Sequence, residues 1–282
     1  MKKLFLSLIL IGAVNLGFAQ STDSVLVLGK KQQLHSKILN ENRDYWVSLP
    51  TGYTSEESKQ YPVIYLLDGE QNFKTTVGIH AFLDRGPRAH FPEVIIVGIN
   101  NTNRTRDLTP TKAVSVRGNA TKENSGGGEN FIAFLQQELI PEIENRYRTS
   151  EKRVLIGHSF GGLLTVHTLL HHPALFTDYL ALDPSFWWDD QLLLSQSDTL
   201  ISKLSLQGTK LYFARAGKHA SRRKVAHEDA KALQADFTEI LEKNKASGLQ
   251  WKYQNFENES HGSIFLTGTY YGLQYLFSDI KP

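Results

Sequence analysis

The chain has 282 residues, no cysteine and a single methionine. Without thiols it forms no disulfide, holds no thiolate-ligated metal and carries no lipidated N-terminal cysteine. An excess of one charge is also missing, because 31 Lys and Arg face 29 Asp and Glu. That balance provides neither a basic surface for nucleic acid nor a polybasic patch for a membrane. No internal repeat, low-complexity linker or break in composition divides the sequence. What is present is apolar bulk: 40% of residues are hydrophobic, enough to bury a sizeable core.

The first residues read MKKLFLSLILIGAVNLGFAQ. Two lysines precede an apolar stretch of about a dozen residues, and Gly17 and Ala19 put small residues before a cleavage point. This pattern predicts a signal peptide over residues 1–19 and one mature domain over 20–282. A membrane anchor is the other reading, for which the apolar stretch is short. Loss of Lys2 and Lys3 brings the basic count from 31 to 29, level with 29 acids. The expected working protein is soluble, uncharged overall, and periplasmic or secreted, with no stable membrane insertion after cleavage.

Apolar, β-branched runs at 44–50, 61–69, 93–100, 153–159, 209–217 and 249–256 read as strands ending in Gly, Asn or Pro. Between them lie helical patterns. Residues 126–147 place Phe131, Phe134, Leu135, Leu139 and Ile143 at helical spacing, and 227–244 do the same with Leu233, Phe237, Ile240 and Leu241. A further helix is expected within 187–204, and 121–130 reads as a loop inside the domain. Alternating strands and helices predict an α/β fold, a mostly parallel sheet with helices on both faces.

The stretch VLIGHSFGGLL, residues 154–164, has the pattern G-x-S-x-G over Gly157–Gly161. A sharp strand-to-helix turn of this kind holds its serine in strained geometry, with glycines on either side to avoid collision. It would lift the Ser159 hydroxyl above the sheet and aim the N–H groups of the next helix at developing negative charge. The same pattern also serves as a tight turn whose glycines act in packing alone.

A serine hydroxyl needs a base. In this architecture the chain order is serine, acid, histidine, so the base is expected after the last strand. His261, in the loop FENESHGSIF (256–265), meets that requirement. Of the other histidines, His158 reads as a packing residue beside the turn. His167, His171 and His172 lie on or after the next helix, and His219 and His227 lie near the loop where an acid is expected. No carboxylate follows the strand at 209–217 immediately. Glu228, ahead of Asp229, is therefore the candidate acid, and both also suit a helix start, whose positive dipole end favours negative side chains. A Ser–His pair without an acid is the remaining arrangement. For the oxyanion, the candidate donors are the backbone N–H groups of Phe160 and of Glu70, the latter in YLLDGEQNF (65–73) just after the Asp68–Gly69 turn.

With YLLDG, VGINNTNRTRDLTPT (97–111), LIGHSFGGLL, DPSFWW (183–188) and ESHGS (259–263) in this order, the chain resembles the esterase D-like family of the α/β-hydrolase superfamily. The likeness runs from about residue 30 to 280. It implies the α/β-hydrolase fold, Ser159 as nucleophile, His261 as base, and Phe160 and Glu70 N–H groups as the oxyanion hole. It also implies a structural, non-catalytic brace around Arg106–Asp107. The family includes siderophore trilactone esterases, some working with a Ser–His pair, and feruloyl and acetylxylan esterases. The expectation is therefore a serine esterase with a two-step acyl-enzyme mechanism, needing no metal or organic cofactor. Its substrate would be a small-molecule or polysaccharide-linked ester, with Phe186, Trp187 and Trp188 as pocket, core or lid residues. An acyltransferase and a hydrolase-fold binding protein without turnover are the alternatives, and a serine peptidase is disfavoured for want of a second domain.

Overall fold

The computed structural model describes residues 25–84, 91–113, 124–218 and 224–279. The signal-peptide reading of 1–19 falls outside the described residues. Eight strands form one sheet: β1 (Lys30–Ser36), β2 (Glu41–Ser48), β3 (Tyr61–Leu66), β4 (Ile95–Ile99), β5 (Thr149–His158), β6 (Asp178–Leu182), β7 (Lys210–Lys218) and β8 (Gln250–Ser260). Their spatial order is β1-β2-β4-β3-β5-β6-β7-β8. β1 pairs antiparallel with β2 and β2 with β4, and every later pairing is parallel.

The central strands are buried on both faces, which is why they read as unbroken apolar runs rather than as alternation. Alternate side chains still serve different layers. Val63, Tyr65 and Leu155 join one apolar cluster with α5 (Phe160–His171), α6 (Leu192–Ile201) and α7 (Lys224–Lys243). Ile64, Leu66, Val154 and Ile156 join the other, with α1 (Gly69–Asp84) and α8 (Ile264–Leu276). The first layer also holds a helical stretch from 128 to 146: α3 (Gly128–Phe134), a π turn (Leu135–Leu139) and α4 (Ile140–Arg146). Its apolar stripe is the one spaced out by the sequence, with Phe131, Phe134, Leu135, Leu139 and Ile143 all buried.

α2 (Arg104–Leu108) is a short helix after β4, capped by the Asn103 side chain accepting from the Arg106 N–H at 3.1 Å. It carries the brace expected at Arg106–Asp107. Asp107, fully buried, accepts from the buried Arg43 of β2 at 2.7 Å and from Arg106 Nε at 2.6 Å. Arg106 in turn reaches Glu41, and its hydrogen bonds hold that carboxyl below the usual carboxylate range. Among the described residues, no helix is long and apolar enough to cross a membrane.

Candidate active site

The loops that leave β3, β4, β5, β6 and β8 at their carboxyl ends meet at one edge of the sheet, where doubly wound sheets place their ligands. At their centre is the turn from β5 into α5. Ser159 has φ 60° and ψ −117°, backbone that a residue with a side chain rarely adopts. Two hydrogen bonds fix it: Ser159 N–H donates to the Leu182 carbonyl at 2.9 Å, and its own carbonyl accepts from Ser185 N–H at 3.2 Å. The glycines around it are not equivalent. A Cβ on Gly157 would lie 2.1 Å from the Gly161 carbonyl oxygen, so Gly157 is obligatory. A Cβ on Gly161 would come no closer than 3.4 Å to Asp68 Oδ2, ordinary contact. The collision argument made from the sequence therefore holds for Gly157 and not for Gly161. The tighter neighbour is Gly162, whose Cβ would sit 3.0 Å from the Leu182 carbonyl and 3.1 Å from Pro184.

His261 lies in the turn after β8, and its Nε2 is 3.1 Å from Ser159 Oγ. The turn is tied by its own side chains. Ser260 and Ser263 exchange side chain-to-backbone hydrogen bonds, and Glu259 accepts from the hydroxyls of Ser263 and Thr267. Those bonds hold the Glu259 carboxyl below its ordinary range.

The other imidazole nitrogen corrects the expected acid. His261 Nδ1 is 2.6 Å from Oδ2 of Asp183, the residue that follows β6. With Nε2 facing the serine and Nδ1 facing Asp183, the ring has no nitrogen left for Glu228 or Asp229. Both of those lie in the second turn of α7, one strand further on, and their side chains lie outside the described residues. Asp183 suits the post: it is buried, sits at φ 43°, and donates its own N–H to the Ala214 carbonyl at 2.7 Å. Backbone held this tightly aims a short carboxylate with little freedom to swing. In chain order Asp183 also stands between Ser159 and His261, but at the end of β6 rather than after β7.

Further side chains converge on the site. Ser185, buried, has its Oγ 3.4 Å from Ser159 Oγ. On the β3 side, Asp68 is buried at φ 55° and its carboxylate takes two bonds from Arg104, at 2.6 and 2.9 Å, and one from Asn101 at 2.7 Å. Asn101 also donates its side-chain and backbone N–H groups to the Glu70 carboxylate. Arg104 reaches the His158 carbonyl at 3.3 Å and lies over the Phe160 ring at 5.5 Å. The turn before Glu70 is thus pinned to the elbow by charge-assisted bonds rather than by packing. Gly69 is needed there, since a Cβ would come within 2.6 Å of the Gly98 backbone.

The aromatic run after Asp183 divides in two. Phe186 packs on Phe237 in the core, and Trp188 is buried with its indole N–H donating to the Thr111 carbonyl at 3.2 Å. Trp187 stays half-buried, 5.8 Å from the Phe160 ring. Of the histidines set aside earlier, His167 and His172 both bond Glu129 of α3, at 2.5 and 2.8 Å, well along α5 from Ser159. Among the described residues, no group of three His, Asp or Glu side chains is placed to hold a metal.

A family model described as "Putative esterase" matches residues 36–262. The chain belongs to this esterase family. It is 30% identical over 241 residues to the ferri-bacillibactin esterase BesA of Bacillus subtilis, covering 80% of this chain and 82% of that one. It is 26% identical over 250 residues to a siderophore enterobactin esterase of Emericella nidulans, covering 77% and 82%. Among solved structures, an IroE-like serine hydrolase from Shewanella oneidensis superposes with a TM-score of 0.83 and 37% identity over 89% of this chain and 80% of that one. The fold is the α/β-hydrolase fold, and the protein is a serine hydrolase acting on ester bonds.

Proposed function

We propose that this esterase cleaves carboxylic esters through an acyl-enzyme on Ser159, with His261 as base and Asp183 as its orienting acid. The observation that carries the reading is the continuous line from Asp183 Oδ2 through His261 to Ser159 Oγ, 2.6 and 3.1 Å in its two steps. Asp183 accepts a hydrogen bond from the Nδ1–H, which leaves Nε2 as the acceptor facing the hydroxyl. Ser159 Oγ attacks the ester carbonyl as its proton passes to Nε2. The oxyanion is met by the N–H groups of Phe160 and Glu70, which belong to the first turns of α5 and α1, where helical N–H groups point outward. The tetrahedral intermediate expels the alcohol, which takes the proton from Nε2. Water then gives a proton to Nε2, attacks the acyl-enzyme and releases the acid, and the proton returns to Ser159. Throughout, the ionised Asp183 stabilises the imidazolium.

The substrate class that fits best is a siderophore lactone, because the relatives named above are esterases of such compounds. The charged apolar leader at residues 1–19 supports secretion or a periplasmic location for the working enzyme. The test uses the chain purified after secretion, whose first residue is expected to be Gln20. Wild type should hydrolyse p-nitrophenyl acetate and a catecholate trilactone and should be labelled by a fluorophosphonate probe. Ser159→Ala should lose both by orders of magnitude. Equal rates in the two proteins would overturn the reading, and binding of the lactone without turnover would favour a binding protein instead.

A further inference from the structure

His158 directly precedes the nucleophile, and the reaction described above gives it no part. Its ring lies against that of His261, with centroids 4.6 Å apart and planes at 39°. It also meets the ring of Phe265 in α8 near-perpendicularly, at 6.4 Å. The strand period explains how it comes to be there. In β5, Val154, Ile156 and His158 alternate onto one face of the sheet, the face covered by α1 and α8. His158 Nε2 is sealed from solvent and has no hydrogen-bond partner among the described residues. Arg104 fixes the backbone at this point through the His158 carbonyl.

An imidazole with one nitrogen sealed from solvent and unpartnered is a costly way to fill space, and the neighbouring ring supplies a reason for it. The His261 side chain is 51% exposed and sits in a turn. Its two directional restraints are hydrogen bonds at opposite nitrogens, about which a ring can still rock. A flat group packed over one face removes that freedom. The brace must also be uncharged, because the base it supports becomes an imidazolium in every turnover. Burial, and after it the adjacent His261, push His158 down to about 4, against an opposing pull from Asp183 and Asp68. At neutral pH the ring is therefore neutral.

Resting on the assignment of Ser159 and His261 as nucleophile and base, we propose that His158 is a positioning residue. Its part-buried ring braces the face of the His261 imidazole and keeps Nε2 within reach of Ser159 Oγ as the proton moves on and off.

The test compares His158→Ala and His158→Phe with wild type and Ser159→Ala at neutral pH. Two quantities are read: kcat and KM for p-nitrophenyl acetate, and the low-field proton resonance of the His261 Nδ1–H bonded to Asp183. His158→Ala should lower kcat on the order of 10- to 100-fold, the scale of a displaced catalytic group, with KM little changed and the resonance broadened. His158→Phe, which restores a flat face without a titratable group, should recover most of kcat and a sharp resonance. Should His158→Ala fail to fold, His158→Gln takes its place. Unchanged kcat and a sharp resonance in His158→Ala would overturn the proposal, as would a His158→Phe protein no better than His158→Ala. If hydrolysis persists in Ser159→Ala, the acyl-enzyme reading fails, while the resonance still decides the role of His158.

Discussion

At the scale of single residues, the glycines about Ser159 illustrate how one motif contains different physical demands. Gly157 faces the Gly161 backbone at a distance no Cβ tolerates, so Gly157→Ala must move the elbow itself. Its hydrolytic rate is expected to fall about 100-fold or more, the cost of misplacing a nucleophile by an ångström. Gly161→Ala meets only ordinary contacts and lies in a helix, where alanine is the better former. It should fold at least as stably as wild type by urea titration. That Ser159 and His261 meet was legible in the sequence because each sits in a local pattern with a mechanical reason: a strained turn between strand and helix, and a histidine following the final strand. Asp183 was in plain view within DPSFWW but had no such pattern. An aspartate at a strand end before proline is also an ordinary chain stop, and only the fold shows that β6 brings it to the imidazole. Ser185, Asn101 and Arg104 were invisible for the same reason, since their roles arise from contacts across loops.

At the scale of elements, the strands with β-branched runs and the two helices with apolar stripes could be read directly. β1 could not: its sequence KKQQLHS is mostly polar and gains its place by pairing with β2 at the sheet edge. α8 was missed because IFLTGTYYGLQYL is interrupted by two glycines and is apolar on much of its circumference, leaving no stripe. Those glycines are there for close approach, as a Cβ on Gly268 or Gly272 would lie 2.5 Å from Leu182 or Leu180 of β6. α2 is a different case, a short helix held by charge. Asp107→Ala would leave the buried Arg43 with Glu41 and a backbone carbonyl but without its shortest carboxylate partner. The expected loss of unfolding free energy is about 3 kcal/mol, measured by urea titration with circular dichroism. A loss below about 1 kcal/mol would mean that Glu41 alone satisfies the guanidinium.

For the whole molecule, the balance of charge gives little net repulsion at any pH near neutrality, so acid sensitivity rests on particular groups. Burial drives both His158 and His167 down to about 4 from an ordinary 6.5. Between those values the unfolded chain binds protons that the folded chain refuses. Stability is therefore complete above pH 6.5 and falls as pH drops toward 4, by up to about 3 kcal/mol for each such group. Burial works to raise the Glu129 carboxyl, but the hydrogen bonds from His167 and His172 outweigh it and hold it low, so its contribution is lost at still lower pH. Unfolding free energies should decline from pH 7 to 4.5, and His167→Gln should decline less steeply. A flat profile in wild type would contradict this account.

The architecture brings Ser159, His261 and Asp183 together from the ends of β5, β8 and β6, and Asp183 is the least expected of the three. The most direct measurement is kcat/KM for p-nitrophenyl acetate in Asp183→Asn beside Glu228→Gln. Asp183→Asn should lose about 10³-fold or more, as an asparagine at this post favours the wrong imidazole tautomer, while Glu228→Gln stays close to wild type. An Asp183→Asn enzyme with wild-type activity, or a crippled Glu228→Gln enzyme, would contradict it.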